Sequence, residues 1–213
     1  MHFLSEQLES YIAKHSEPEP AILTKLTRET HLKVIQPRMI TGHYQGRVLS
    51  LLSKIISPKT ILEIGTYTGY SAICLAEGLQ KEGVLHTIEI NEELHEMQRR
   101  YFEASGYGNQ IVQHVGDSLN IIPKLDAVFD LIFIDAEKAS YDAYFEAVLP
   151  KTKSGSIILS DNVLWSGKVV EPVSSSDKAT KSLLAFNKKL KEDKRIETVL
   201  LPIRDGLTLS RVL

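Results

Sequence analysis

The sequence holds one cysteine, Cys74, so no intrachain disulfide can form, and its place within a helical pattern marks it as a small core residue rather than a nucleophile. No apolar run approaches the roughly 20 residues that cross a bilayer, and no basic segment followed by an apolar stretch opens the chain. A reducing, cytoplasmic setting is the expectation. Neither sign of charge dominates: 25 Lys and Arg against 27 Asp and Glu leave a formal net charge of -2, without the basic block that nucleic acid requires. Neither DNA, RNA nor a membrane is an expected partner. The seven histidines include no close His-x-x-x-His pair, and no internal repeat breaks the chain into units.

What is present has ordinary globular proportions, 43% hydrophobic and 24% charged over 213 residues. That length suits one domain spanning 1–213, read as a helical extension and cap over 1–57 and a core over 58–213. The chain is organised around Thr60-Ile61-Leu62-Glu63-Ile64-Gly65-Thr66-Tyr67-Thr68-Gly69-Tyr70-Ser71. A short apolar run, a Gly-x-x-x-Gly turn and a helical pattern read as strand, tight turn and helix. Gly65 and Gly69 allow close backbone approach to a ligand, and the helix behind them presents free N–H groups. Yet Tyr67 stands where a dinucleotide fingerprint needs its second glycine, and no Gly-Lys-Ser/Thr follows. That disfavours a pyrophosphate ligand and a nicotinamide oxidoreductase.

Glu89 closes the next apolar run, 84–90, about twenty residues past the turn, where a carboxylate grips a ribose diol. A nucleoside without a nearby phosphate fits both features. From residue 60 onward apolar runs alternate with helical patterns, the βαβ signature. Strands are expected near 60–64, 84–90, 111–115, 130–134 and 156–160, with helices near 70–80, 92–105, 118–125 and 139–148. Upstream, helices are expected over 3–15, over 21–35 and, after a polar and aromatic loop at 36–46, up to Pro58. Downstream, a polar loop at 166–178 and a helix at 177–192 precede two strand-like runs, 196–203 and 207–213. Arg204-Asp205-Gly206 between those runs signals an antiparallel hairpin.

Two further strand ends carry acids. Phe129–Ile134 runs into Asp135, and 156–160 runs into Asp161-Asn162. As parallel neighbours they would bring Asp135, Asp161 and Asn162 to one edge, three hard oxygen donors suited to Mg²⁺, Mn²⁺ or Ca²⁺ and not to a structural zinc. Taken singly, each Asp reads as an ordinary turn or cap residue. Lys138, three residues past Asp135, reaches the metal only if a helix begins there; on spacing alone it is a solvated lysine.

These pieces resemble a known family, the cation-dependent class I S-adenosylmethionine O-methyltransferases that include the caffeoyl-CoA and catechol enzymes. The likeness runs from about Met39 to the C-terminus. It is carried by Met39-Ile40-Thr41 with Gln45-Gly46, the glycine turn, Phe133-Ile134-Asp135-Ala136-Glu137-Lys138 with Tyr141, Asp161-Asn162-Val163-Leu164-Trp165-Ser166-Gly167, and Leu201-Pro202-Ile203-Arg204-Asp205-Gly206-Leu207-Thr208. The resemblance implies a Rossmann-like α/β fold, a seven-stranded, mostly parallel sheet with an antiparallel last strand and helices on both faces, in a homodimer. It implies that Met39, Thr41, Glu63, Gly65, Thr66, Tyr67, Ser71, Glu89, Asp117, Ser118, Asp135 and Tyr141 surround S-adenosylmethionine, or its product S-adenosylhomocysteine, with Asp117 and Ser118 beside the adenine. Asp117 departs from the plant branch, which tends to have Pro there. Asp135, Asp161 and Asn162 match the ligands of a divalent cation, Mg²⁺ or alternatively Ca²⁺ or Mn²⁺. Lys138 and Asp135 fall at catalytic positions, and Met39, Lys138, Asn162 and Trp165 face a phenolic substrate. The implied reaction is methylation of a vicinal diphenol of catechol or caffeoyl type. Rival readings are a module that binds the donor without catalysis, against which the acidic trio argues, and methylation of a macromolecule, against which the missing basic patch argues.

Overall fold

A computed structural model describes residues 5–213. The helix expected over 3–15 forms as α1 (Glu6–Lys14), with Phe3 and Leu4 outside the described residues. It is followed by α2 (Ala21–Lys33) and α3 (His43–Ile56). Helix α3 starts at Gly42, whose φ of +78° suits a residue without Cβ, and ends at Ser57 before Pro58, which cannot continue a helix.

The alternating run follows as β1 (Thr60–Ile64), α4 (Tyr70–Ala76), β2 (Val84–Glu89), α5 (His95–Ser105), β3 (Ile111–Val115), α6 (Ser118–Ile121), β4 (Phe129–Ile134), α7 (Tyr141–Val148) and β5 (Thr152–Asp161). Helix α8 (Lys178–Glu192) and the hairpin β6 (Ile196–Leu201) and β7 (Leu207–Val212) complete the chain. Sheet order is β3-β2-β1-β4-β5-β7-β6, with β7 antiparallel to both neighbours. The expected seven-stranded sheet is present.

Alternation along the central strands divides the core between the two faces of the sheet. Leu131 and Phe133 join Leu23, Leu49 and Ile73 on one face, while Ile132 and Ile134 join Tyr141, Phe145 and Phe186 on the other. Fully burying each such side chain contributes about 1.5–3 kcal/mol, enough to fix register strongly.

Local departures from the sequence pattern have physical causes. Helix α4 stops at Ala76 rather than near 80, where Gly78 runs so close to the Ser53 backbone that a Cβ would lie 2.2 Å from it. The helix expected over 118–125 tightens into a 3₁₀ turn, Ile122–Lys124, at Pro123. Strand β5 begins four residues early, and the 166–178 loop opens on a 3₁₀ segment, Trp165–Val170, kinked at Ser166 and Gly167.

Candidate active site

Strand register puts the singled-out residues on one level. Ile88, Ile64, Ile134 and Ser160 are partners across β2, β1, β4 and β5, so the residues that follow them, Glu89, Gly65, Asp135 and Asp161, form a row along the carboxyl edge. Three strand spacings make the row roughly 14 Å long. It straddles the β1–β4 crevice, where strand order reverses and ligands of open α/β sheets bind. Gly65, at φ +95°, sits in the middle; a Cβ there would lie 2.0 Å from the Asp135 carbonyl oxygen. Gly69 is equally constrained, with a Cβ 2.6 Å from the Phe102 ring.

At the β1–β2 end the acids are held by the sheet's own groups. Glu89 accepts the Tyr67 N–H on Oε2 at 2.7 Å and the Asn91 N–H on Oε1 at 2.9 Å. Tyr67 takes left-handed backbone, φ +49°, and Gln98 pins its carbonyl at 2.6 Å. Glu63 is fully buried and accepts the Thr87 hydroxyl on Oε2 at 2.5 Å, while Thr87 pairs with the Thr66 hydroxyl at the same distance. Burial pushes the Glu63 carboxyl up to about 8, against the Ser71 and Thr87 hydroxyls, which favour the anion. Its Oε1 is buried and makes no hydrogen bond of ordinary length and angle. A buried orphan acceptor beside a glycine cradle fits an incoming ammonium or hydroxyl donor.

At the β4–β5 end, side chains hold the acids. Lys138, expected as a solvated lysine on spacing alone, is buried instead: a 3₁₀ turn, Lys138–Ser140, starts there. Its Nζ donates to Asp135 Oδ1 at 2.9 Å and to the Tyr141 hydroxyl at 2.8 Å. Tyr141 donates in turn to the Asp161 carbonyl at 2.9 Å, and burial drives its phenol well above the ordinary range. Asp161 is 3% exposed; Oδ2 accepts the Gln45 side-chain amide at 2.7 Å and Oδ1 the Asn162 N–H at 2.8 Å. Burial and then the nearby Asp135 charge push the Asp161 carboxyl up to about 7, opposed by Lys138. Among the described residues no group of three or more His, Cys, Asp or Glu side chains that could hold a metal ion is found; Asp135 and Asp161 follow neighbouring strand positions and Asn162 comes next in the chain. Two neighbouring carboxylates, with the charge of Asp135 raising the proton affinity of Asp161, fit a divalent cation.

The remaining expected residues come from the flanking turns and helix ends. Thr41 is buried, and its carbonyl accepts the Arg204 guanidinium. Met39 stands 57% exposed at the end of the turn Pro37–Met39. Asp117 caps α6, accepting the Leu119 N–H at 2.9 Å, and Ser118 is buried as its first residue. Trp165 packs on the α7–α8 core, with its indole N–H buried and unpartnered. Sequence reasoning assigned no role to Gln45, Thr87, Gln98 or Arg204. For Gln45 there was a signal: a polar residue four positions before Leu49 on the buried stripe of α3.

The strand order and switch-point crevice define a class I methyltransferase fold. The family model for O-methyltransferases matches residues 13–213, further upstream than the motifs alone reach. Caffeoyl-CoA O-methyltransferase of Petroselinum crispum is 33% identical over 97% of this chain and 91% of its own. Caffeoyl-CoA O-methyltransferase 1 of Eucalyptus globulus is 35% identical over 92% and 82%. The O-methyltransferase TomG from Streptomyces achromogenes, solved in complex with SAM, superposes with a TM-score of 0.90 at 30% identity, covering 98% of this chain and 99% of that one. An O-methyltransferase from Bacillus cereus, solved with SAH, gives 0.90 at 28% identity and 97% coverage of each. The chain belongs to the O-methyltransferase family. No described helix is long and apolar enough to cross a membrane.

Proposed function

We propose that the protein transfers the methyl group of S-adenosylmethionine to a hydroxyl of a vicinal diphenol, with a divalent cation held by Asp135, Asp161 and Asn162. The observation that carries this reading is the row Glu89, Gly65, Asp135 and Asp161 on one level of the sheet edge. One end offers a carboxylate for a ribose diol and an orphan acceptor, Glu63 Oε1, for the ammonium of the donor's amino acid. The other offers hard oxygens for a cation. Solved relatives named as bound to SAM or SAH support the donor.

The C–S bond of the sulfonium breaks as the new C–O bond forms, leaving a thioether, and the phenolic proton must go elsewhere. A phenol with pKa near ~10 is mostly un-ionised at neutral pH and a poor nucleophile. The cation, when bound, supplies Lewis-acid stabilisation of the phenolate. In its ion pair Lys138 is an ammonium, so it takes the phenolic proton only after releasing one of its own to solvent; Asp135 and Tyr141 fix its position from two sides. Gly65 lets the turn pass directly against the Asp135 backbone, which fixes the spacing between the two ends of the row. Labelled donor and a panel of vicinal diphenols, assayed with Mg²⁺ and with chelator, test the reading. Transfer to at least one diphenol, abolished by chelator, is the expected result; transfer undiminished in chelator removes the cation from it.

A further inference from the structure

Gln45 and Arg204 lie at opposite ends of the sequence and meet behind Asp161. Gln45 is 1% exposed, and its Nε2 reaches Asp161 Oδ2 across 116 positions of chain. Its Oε1 faces an Arg204 guanidinium nitrogen at 3.4 Å, and the same nitrogen donates to the carbonyls of Ile40 and Thr41. Chemistry permits one orientation of the amide. A guanidinium can only donate and a carboxylate can only accept, so the amide oxygen must face Arg204 and the NH₂ must face Asp161. With Asn162 N–H on Oδ1, each oxygen of Asp161 is held by one donor, which fixes the carboxylate plane and leaves each oxygen another lone pair.

The brace is itself anchored. Arg204 sits in left-handed backbone at φ +47° in the β6–β7 turn. Leu164 N–H donates to the Asp205 carbonyl at 2.9 Å, and a Cβ on Gly206 would lie 2.5 Å from Leu164. The turn is thus locked to the loop that follows Asp161.

We propose that Gln45, braced by Arg204, is a positioning residue that sets the direction of the Asp161 carboxylate toward a divalent cation. This rests on the reading of Asp161 as a cation ligand. The test is Mn²⁺ binding, followed by electron paramagnetic resonance on the full chain with S-adenosylhomocysteine present, alongside calorimetry of S-adenosylhomocysteine itself. Gln45→Leu keeps the volume and removes both bonds; Mn²⁺ affinity should fall about 10- to 100-fold with S-adenosylhomocysteine affinity within about twofold of native. Arg204→Met should weaken Mn²⁺ by about 3- to 10-fold alone and by nothing further in the Gln45→Leu background, since it acts through Gln45.

Mn²⁺ affinity unchanged in Gln45→Leu overturns the positioning role while leaving the cation reading intact. Equal losses of both ligands also overturn it, because they mark a merely structural residue. A native protein that takes up no Mn²⁺ brings down the cation reading and the proposal together. Should Gln45→Leu fail to fold, Arg204→Met decides, and undiminished Mn²⁺ affinity there overturns the brace.

Discussion

The two ends of the site hold their acids by different means. Glu89 is half-buried and rests on two backbone N–H groups of its own sheet edge, while Glu63 hides its charge by burial. Asp135 and Asp161 are held mainly by side chains: the Lys138 ammonium and the Gln45 amide, with one backbone N–H on Asp161. An acid fixed by backbone is built to accept neutral hydroxyls without rearranging. An acid balanced by a side-chain cation can exchange that partner for another positive charge. The comparison therefore separates an end suited to a nucleoside from an end suited to a metal, with Gly65 between them.

The largest effect should come from breaking the acidic end. Asp161→Ala removes a carboxylate of the proposed cation site, and with a Lewis acid worth several kcal/mol turnover should fall on the order of 1,000-fold in a labelled-donor assay. Turnover within a few-fold of native would place the chemistry elsewhere. Gly65→Ala strikes the middle: a Cβ 2.0 Å from a backbone oxygen, at φ +95°, should cost on the order of 3 kcal/mol and lower Tm visibly. An unshifted melt would show that the turn has slack the structure denies it. Glu89→Ala breaks the nucleoside end and should weaken S-adenosylhomocysteine about 10- to 100-fold by calorimetry, the worth of one or two charge-assisted hydrogen bonds.

The smallest effect is in pH. Glu63 and Asp161 rise from 4.5 and 3.8 to about 8 and about 7 in the fold. Between those values the folded chain keeps protons that the unfolded chain has released, so stability falls as pH rises and stops falling near pH 8. His86 and His114, lowered from 6.5 by burial, act in the opposite sense at and below that pH. Over pH 6.5–8 the unliganded protein should therefore lose on the order of 1–2 kcal/mol, read as a falling Tm. If its ammonium meets Glu63 as proposed, S-adenosylhomocysteine should flatten the slope; a Tm that climbs across this window would contradict the buried acids.

Periodicity made the sheet legible, because strands buried on both faces must be continuous apolar runs and each strand-to-helix junction carries its own punctuation. The acids were legible for the same reason: Glu89, Asp135 and Asp161 interrupt or end such runs. Element ends were less so. The early stop of α4 follows from Gly78 passing Ser53, a contact between distant segments that no local pattern encodes. Lys138 is the sharper case, since three-residue spacing says nothing about burial and only the packing of Tyr141 makes it a buried ammonium. The Gln45–Asp161 contact depends on α3 folding over the sheet edge, so it is visible only once both ends of the chain are in place.

Calorimetry of S-adenosylhomocysteine against the native protein, Glu89→Ala and Asp161→Ala tests the division of the site most directly. The account predicts a loss of affinity of about tenfold or more in Glu89→Ala and near-native affinity in Asp161→Ala. The reverse pattern, with Glu89→Ala binding normally and Asp161→Ala failing to bind, would contradict it.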